Sequence, residues 1–531
     1  MAASELVRSS VQSRSDGKRL AEHLVVSFGH TVRARTSEQL CFDSRTAVNG
    51  HMLVAGPSGT GKTHQLNRIT RTLAQQGAKQ IFVINVHGDL CEGFPSDLVH
   101  RVAFSETSPF GLSPLDVLSD TEIGGVRRRA NSFINLLARQ GALGPKQKTA
   151  LYRLLVDLYA QFGFFADDPS SWSLDHDPRK PRTAPAAVAR EGYHLLPGLD
   201  WFALSEAERT ELKREFGLTF NGGASKWEVP LDHPRASEAI DRWGTGGKRH
   251  PTLQDLKRHL YQRLVAVKTG QSTFAVRALD KVMTLATRRA RLRTRKLKAA
   301  DQEELDKVEG QLAKAREEAL EAYMQGMERL DSGKELDELI LWDGADAIRG
   351  LFDRVEALDR AGIFRGKPPP FDDEVPIWNY DIKSLSDEEK QLFVDTLLER
   401  IFIEAKSRGE ATGPDTFIVI DEAHLFVSPE GDHIINRLVK EARKYGIGLI
   451  LASQAFVHFS DDLLMSAGTK LVLGCPEMYR EPMRRKLGLD MIEYNGKRYN
   501  PLRFLKPQET ALVSVSIKGE AKPMVEVRIA A

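Results

Sequence analysis

An eight-residue segment near the start of the 531-residue chain has the pattern of a phosphate-binding loop, G-x-x-x-x-G-K-[ST]. Its glycines would let backbone N–H groups surround phosphate oxygens, Lys62 would neutralise the β- and γ-phosphates, and the Thr63 hydroxyl would bind Mg²⁺. A Gly-rich turn without nucleotide is the alternative. An apolar run at 52–55 precedes the loop and a helical pattern follows it, which is the context that favours nucleotide. We therefore predict that ATP and Mg²⁺ bind here, at Gly56, Pro57, Ser58, Gly59, Thr60, Gly61, Lys62, Thr63 and His64.

A second apolar run, at 416–420, ends in two acidic residues. Asp421 would hold Mg²⁺ through water, and Glu422 would orient and deprotonate the attacking water as the catalytic base. Two acids after a strand are often only the start of a loop, so this assignment depends on the phosphate-binding loop elsewhere in the chain. A nucleoside kinase would not need Glu422, and the pair therefore favours ATP hydrolysis over phosphoryl transfer to a metabolite.

The elements that must position these residues form an α/β pattern. Strand, Gly-rich turn, helix and strand follow one another around the phosphate-binding loop, which predicts the opening of a doubly wound parallel sheet. The same alternation returns after residue 370, and the tail at 511–530 predicts two strands about a turn. We predict a RecA-like P-loop core that is split by a large, mostly helical insertion. The insertion separates the half that carries the phosphate-binding loop from the half that carries Asp421 and Glu422. The predicted parts are an arm at 1–23, core halves at 24–126 and 371–531, and an insertion at 127–370.

The insertion has three distinct stretches. Apolar spacing predicts a helical hairpin at 127–162, five prolines predict an irregular loop at 166–198, and the absence of proline from 252 to 367 accommodates a long helical arm at 274–330. Heptad spacing predicts a packed face on that arm at Leu305, Val308, Leu312, Ala315, Ala319 and Ala322. A basic run at 288–298 is either a solvated face pairing with the acidic stretch after it or a contact for DNA or a partner.

Composition excludes several classes of protein. Lys and Arg number 75 against 73 Asp and Glu, so no whole-chain basic excess indicates a nucleic-acid partner. The three cysteines, Cys41, Cys91 and Cys475, have no CxxC spacing, which argues against a disulfide framework or zinc module and favours a reducing compartment. No apolar run approaches the ~18–20 residues of a membrane helix, and no signal peptide is recognisable. We expect a cytoplasmic protein without a membrane partner.

The order of motifs resembles that of the HerA/FtsK superfamily of ring-shaped DNA-pumping ATPases, and of its HerA branch in particular. The matching segments are NGHMLVAGPSGTGKT (49–63), INVHGDL (84–90), SPLD (113–116), VIDEAHLF (419–426) and EARKYGIGLILASQ (441–454). By position, the resemblance implies that Gln454 senses the γ-phosphate and that Arg443 is a finger acting on a neighbouring subunit. Later arginines are rival fingers: Arg480, Arg484 and Arg485.

The residues themselves predict Mg-ATP hydrolysis, and the resemblance adds a ring and DNA. Together they predict a helicase-like ATPase that forms a homohexameric ring and couples hydrolysis to translocation or unwinding of double-stranded DNA. One alternative is a nucleotide-gated scaffold or regulator of a partner nuclease, in DNA processing or antiphage defence, without processive translocation. Another is a protein-remodelling ATPase, which polypeptide rather than DNA would stimulate.

Overall fold

The structure is a computed structural model that describes most of the chain. It leaves out residues 1–13, 16–17, 20–21, 33–36, 140, 175–191, 197–198, 200–205, 222–225, 237–238, 241–247, 270–272, 295–298, 331–344, 428–432, 519, 521–522 and 530–531. The chain forms two compact units, one of Met1–Leu112 with Lys367–Ala531 and the other of Ser113–Gly366. The second unit contains most of the insertion that the sequence predicts at 127–370. Within the predicted arm, Arg14–Ser15 (β1) pairs with Lys18–Arg19 (β2), and most other positions lie outside the described residues.

A mixed sheet of eleven strands organises the first unit as far as it is described. From one edge to the other its strands are β4 (Gln39–Asp43), β3 (Val25–Thr31), β18 (Val525–Ile529), β17 (Thr510–Val515), β14 (Thr469–Val472), β5 (Met52–Ala55), β13 (Ile447–Ser453), β12 (Thr416–Ile420), β6 (Gln80–Asn85), β11 (Ile377–Asp381) and β7 (Val99–Ala103). The strands from β14 to β7 run parallel, whereas β17, β18, β3 and β4 extend the sheet antiparallel. The predicted parallel α/β core is therefore present, with an antiparallel extension that includes the two predicted tail strands. A separate two-stranded sheet pairs β15 (Ile492–Tyr494) with β16 (Lys497–Tyr499).

The strand register brings distant parts of the chain together at the carboxyl ends of the parallel strands, which are called here the phosphate-binding edge of the sheet. Ala55 at the end of β5 pairs with Ser453 at the end of β13 and with Val472 at the end of β14. Ile420 at the end of β12 pairs with Leu451 of β13. In parallel sheets, ligands bind in the crevice outside the carboxyl ends of the strands. The loops that follow β5, β12, β13 and β14 therefore share the edge at which a ligand is expected.

Five α-helices belong to the described part of the first unit. They are α1 (Lys62–Gln75), α9 (Asp387–Ser407), α10 (Ile434–Glu441), α11 (Asp461–Ser466) and α12 (Arg480–Lys486). Helix α1 buries Leu66, Ile69 and Leu73 against the strands, which is the i, i+3, i+7 spacing of a helix with one apolar face. The helix α9 begins with a capping box, since Ser386 Oγ accepts a hydrogen bond from the Glu389 N–H and the Glu389 carboxylate accepts one from the Ser386 N–H.

The second unit is mostly helical. It contains α2 (Val126–Arg139), α3 (Pro145–Gln161), α4 (Glu206–Phe216), α5 (Leu253–Thr269), α6 (Thr273–Thr294), α7 (Ala299–Leu330) and α8 (Ala345–Arg360), with a small antiparallel sheet of β8 (Tyr193–Leu195), β10 (Lys226–Pro230) and β9 (Thr219–Asn221). The prediction of an irregular loop at 166–198 is wrong at two places. A 3-10 turn at Pro169–Trp172 and the strand β8 lie within that range. An Asp168 cap stabilises that turn, and pairing with β10 orders β8.

The predicted helical arm is the antiparallel pair α6 and α7. Its heptad positions are buried in the pair: Leu305, Val308, Leu312, Ala315, Ala319 and Ala322. Lys281 pairs with Glu318 and Arg293 pairs with Glu309, so part of the basic run contacts acidic residues of α7. Positions 295–298 of that run lie outside the described residues. No helix in the described part of the chain combines the length and apolarity that crossing a bilayer requires.

Candidate nucleotide-binding site

The phosphate-binding loop connects β5 to α1 and has the backbone that its glycines allow. Gly59 and Gly61 have φ angles of 82° and 90°, in the left-handed region that side chains disfavour. A Cβ atom at Gly56 would lie 2.4 Å from the Thr60 hydroxyl oxygen. That hydroxyl donates a hydrogen bond of 2.7 Å to the Pro57 carbonyl and closes the turn. Because α1 begins at Lys62, the loop presents a helix N-terminus to an anion.

Lys62, Asp421 and Glu422 meet at this edge of the sheet. The Lys62 ammonium hydrogen-bonds Glu422 Oε1 and lies 3.3 Å from Asp421 Oδ1. All three residues are buried. Burial raises the pKa of Asp421, and the Lys62 charge partly offsets that rise. The two predicted halves of the site, 360 positions apart in the sequence, therefore form one cluster.

The turn after β12 places Glu422 in a strained backbone conformation. Its φ and ψ are 48° and 43°, the left-handed region, which is uncommon for a residue with a side chain. The Glu422 N–H donates a hydrogen bond of 2.8 Å to Asp421 Oδ1, which holds the turn. A 3-10 turn, Ala423–Leu425, follows. Strain of this kind concentrates at functional sites, where the surrounding structure enforces it.

Oxygen donors suited to Mg²⁺ lie beside the lysine. The Thr63 hydroxyl donates a hydrogen bond of 3.3 Å to Asp89 Oδ2, while Asp89 Oδ1 is buried and makes no hydrogen bond among the described residues. Hydroxyl and carboxylate oxygens are the ligands that Mg²⁺ prefers, so Thr63 and Asp421, with Asp89 behind Thr63, fit this ion. No group of three or more His, Cys, Asp or Glu in the described chain could hold a metal, and a site built on one hydroxyl and one carboxylate would not form such a group.

Two residues of the site were not predicted as site residues. Asp89, within the quoted INVHGDL segment, follows β6 at the same edge, and its position after a strand end was the available signal. Gln508 lies just before β17, and its side-chain amide donates a hydrogen bond of 3.1 Å to the Gly59 carbonyl. Gln508 has a φ of 61°, so its backbone is also left-handed. No sequence pattern indicated Gln508, because only the fold brings it to the loop.

The predicted sensor, Gln454, directly follows β13 and is exposed. The loop is tied to the strand end before it, since the Gly56 N–H donates a hydrogen bond of 3.1 Å to the Ser453 carbonyl. Gln454 thus lies next to the start of the phosphate-binding loop. His64, the last predicted binding residue, is exposed on the first turn of α1.

The candidate arginine fingers lie at opposite ends of the parallel strands. Arg443 belongs to a 3-10 turn before β13, so the seven residues of that strand separate it from the phosphate-binding loop, or roughly 20 Å at ~3.3 Å per residue. There it lines a cavity of about 790 Å³ together with Lys440 and Lys444. Within one chain, therefore, Arg443 does not join Lys62 and Glu422.

The rival arginines follow β14 and lie at the phosphate-binding edge. Arg480 has a buried Nε without a hydrogen-bond partner among the described residues, and its Nη1 lies 3.4 Å from Glu477. Arg484 and Arg485 both bond Glu481, and these hydrogen bonds lower the pKa of Glu481 to about 2. Both guanidinium groups are thus already paired within the helix.

Comparison with known proteins identifies the segment around the loop. The family model described as "Helicase HerA-like C-terminal" matches residues 30–101. This segment of the chain is similar to the C-terminal part of HerA-like helicases. The DNA double-strand break repair helicase HerA of Pyrococcus furiosus is 32% identical over 80 residues, or 14% of each protein. A probable helicase of Methanocaldococcus jannaschii is 32% identical over 127 residues, 22% of this chain and 24% of the relative. The matches thus span less than a quarter of these curated relatives, and the predicted resemblance to the HerA/FtsK superfamily is confirmed over this segment.

A solved structure extends the comparison to the whole fold. VirB4 of Thermoanaerobacter pseudethanolicus superposes with a TM-score of 0.50, covering 95% of this chain and 96% of that one at 16% identity. At that identity the similarity concerns the fold alone. Together with the eleven-stranded sheet of the described chain, it confirms the predicted RecA-like P-loop α/β fold.

Proposed function

We propose that the protein is an ATP hydrolase. The observation that carries this proposal is the meeting of Lys62 with Asp421 and Glu422 at the carboxyl edge of the parallel strands. In this proposal the loop N–H groups and Lys62 bind the β- and γ-phosphates, and Thr63 and Asp421 hold Mg²⁺. Glu422 accepts a proton from the attacking water, and Gln454 responds to the γ-phosphate. Mg²⁺ would offset negative charge on the phosphate oxygens.

We further propose that hydrolysis is coupled to translocation or unwinding of double-stranded DNA by a ring of subunits, a hexamer. The HerA-like segment and the helicase names of both curated relatives support the DNA substrate. The position of Arg443 supports the ring, since an arginine at the far edge of the sheet can reach a nucleotide only on another subunit. The three cysteines are free, in keeping with the predicted cytoplasmic location.

The test is the rate of phosphate release, measured with and without plasmid-length duplex DNA, together with the native mass. Stimulation by long duplex in an oligomer whose Glu422→Gln variant is inactive would support the proposal. ATP binding that changes assembly, with turnover indifferent to DNA, would favour the nuclease-regulating scaffold instead. Stimulation by an unfolded polypeptide and not by duplex would indicate a remodelling ATPase.

A further inference from the structure

A polar cluster lies behind Glu422 and has no role in the mechanism proposed above. Lys62 occupies Glu422 Oε1, whereas Oε2 is buried and lacks a hydrogen bond of good geometry among the described residues. The imidazole of His424 reaches this second oxygen, with 3.2 Å between His424 Nδ1 and Glu422 Oε2. A buried carboxylate oxygen is costly to leave unpaired, so the His424 ring is placed where Glu422 needs a donor.

The His424 ring is itself held by neighbours at the end of β13 and beyond. Ser453 Oγ lies 3.5 Å from His424 Nδ1 and 3.1 Å from His458 Nδ1. The two imidazole rings are 5.1 Å apart, and His458 makes an edge contact with Tyr479 at 5.4 Å. The side chains of Glu422, Ser453 and His458 therefore lie around the His424 imidazole, and Tyr479 packs against His458.

The direction of the hydrogen bonds follows from the chemistry of the groups. Burial lowers the pKa of His458, which favours its neutral ring, and a neutral Nδ1 can accept the Ser453 O–H. The Ser453 oxygen then offers lone pairs toward His424 Nδ1. Two acceptors lie near that nitrogen, Ser453 Oγ at 3.5 Å and Glu422 Oε2 at 3.2 Å. With two acceptor oxygens beside it, Nδ1 is the ring nitrogen that these neighbours favour for the proton, and a small ring rotation would let it donate to Glu422.

We propose that His424 is a positioning residue for the catalytic base. Its Nδ1–H holds Glu422 Oε2, so that the carboxylate keeps one orientation when Lys62 exchanges Oε1 for phosphate, and Ser453 with His458 holds the imidazole. A carboxylate oxygen has more than one lone pair, so Oε2 can accept both this N–H and a proton from water. Since Gln454 follows Ser453 directly, the base and the sensor are connected through one strand end. This inference rests on the proposed ATP hydrolysis.

The experiment compares ATP turnover and binding of a fluorescent ATP analogue by the full chain and its variants. His424→Ala should lower kcat by about 10–100-fold, the range for losing a partner that orients a functional group, while the analogue binds as before. His424→Asn should recover most of the rate, because the Asn Nδ2 can donate from nearly the same place. Ser453→Ala should lose less than His424→Ala. His87→Ala, at an exposed histidine after β6, is the matched control and should retain the parental rate.

A double variant separates positioning from mere packing. If His424 acts through the Glu422 carboxylate, adding His424→Ala to Glu422→Gln should remove little of the residual rate, whereas independent effects would multiply. Parental turnover in His424→Ala, or an equal loss in His424→Ala and His424→Asn, would overturn the inference while leaving ATP hydrolysis intact. If His424→Ala does not fold, an unchanged rate in Ser453→Ala together with an inactive His424→Asn overturns it. Full activity in Glu422→Gln would also overturn the inference, because Glu422 would then not be the base that His424 positions. Absence of ATPase in the parent would instead refute the proposed function.

Discussion

Replacing Lys62 by methionine should destabilise the fold as well as weaken nucleotide binding. The side chains of Lys62, Asp421 and Glu422 are 9%, 3% and 11% exposed, so removing the cation leaves two buried carboxylates facing each other. Breaking a buried ion pair on one side costs about 3–5 kcal/mol. At about 2 °C per kcal/mol for a large unit, the melting temperature should fall by roughly 5–10 °C.

The assay is calorimetric melting in buffer without nucleotide or magnesium, because a ligand that binds only the parent would add its own stabilisation. Lys440→Met is the matched control, since Lys440 and Asp462 form an exposed pair, 54% and 73% accessible. Such a pair contributes at most about 1 kcal/mol. Adding Glu422→Gln to Lys62→Met removes one of the unpaired charges and should restore part of the loss. A melting temperature for Lys62→Met within about 1 °C of the parent would refute the reasoning, because the expected shift is several degrees.

The stability lost in Lys62→Met should depend on pH, and the direction of that dependence follows from the pKa of Asp421. Burial raises the pKa of Asp421 above its ordinary value of 3.8, and Lys62 opposes the rise, so the variant should raise it further. A folded-state carboxyl with a raised pKa binds more protons than the unfolded chain, and stability then falls as pH rises between the two values. The difference in melting temperature between Lys62→Met and the parent should therefore become smaller as the pH is lowered toward the raised pKa of Asp421.

Three further predictions concern turnover, the ring and a buried histidine. Glu422→Gln should bind ATP and lose turnover while Lys62→Ala loses binding, as equilibrium binding and phosphate release would measure; a parental rate in Glu422→Gln would assign the base elsewhere. Arg443→Ala should lose about 10³-fold or more in rate yet assemble, and mixing it with Lys62→Ala subunits should restore partial activity; no recovery in mixed rings would argue against a finger acting between subunits. Burial, with Arg443 nearby, lowers the pKa of His51 to about 4. As the pH falls, His51 therefore takes up its proton in the unfolded chain before it does so in the folded protein. Stability that is present above pH 6.5 should be lost as the pH falls toward 4, by at most about 1.4 kcal/mol per pH unit. His51→Gln should flatten that profile in urea titrations, and an unchanged slope would show that another group titrates.

Local patterns predicted much of the fold and the centre of the site. The phosphate-binding loop, the two acids after β12 and the heptad face of α7 each depend on neighbours a few residues away, and such patterns are legible in one sequence. The strands β4 and β7 were not predicted, because QLCFD and VHRVA mix polar and apolar residues at the edges of the sheet. An edge strand is buried less and so needs no continuous apolar run.

The sequence by itself determined which residues could bind phosphate, hold Mg²⁺ and activate water, since those roles follow from residue type and short spacing. Tertiary structure decided which of them meet. The order of strands in the sheet places β13 between β5 and β12, and this order brings Lys62 to Glu422 and leaves Arg443 at the far edge. Contacts of Gln508 and His424 likewise depend on pairings between segments far apart in the chain. Strand order and register arise from packing over the whole core, which no local pattern encodes.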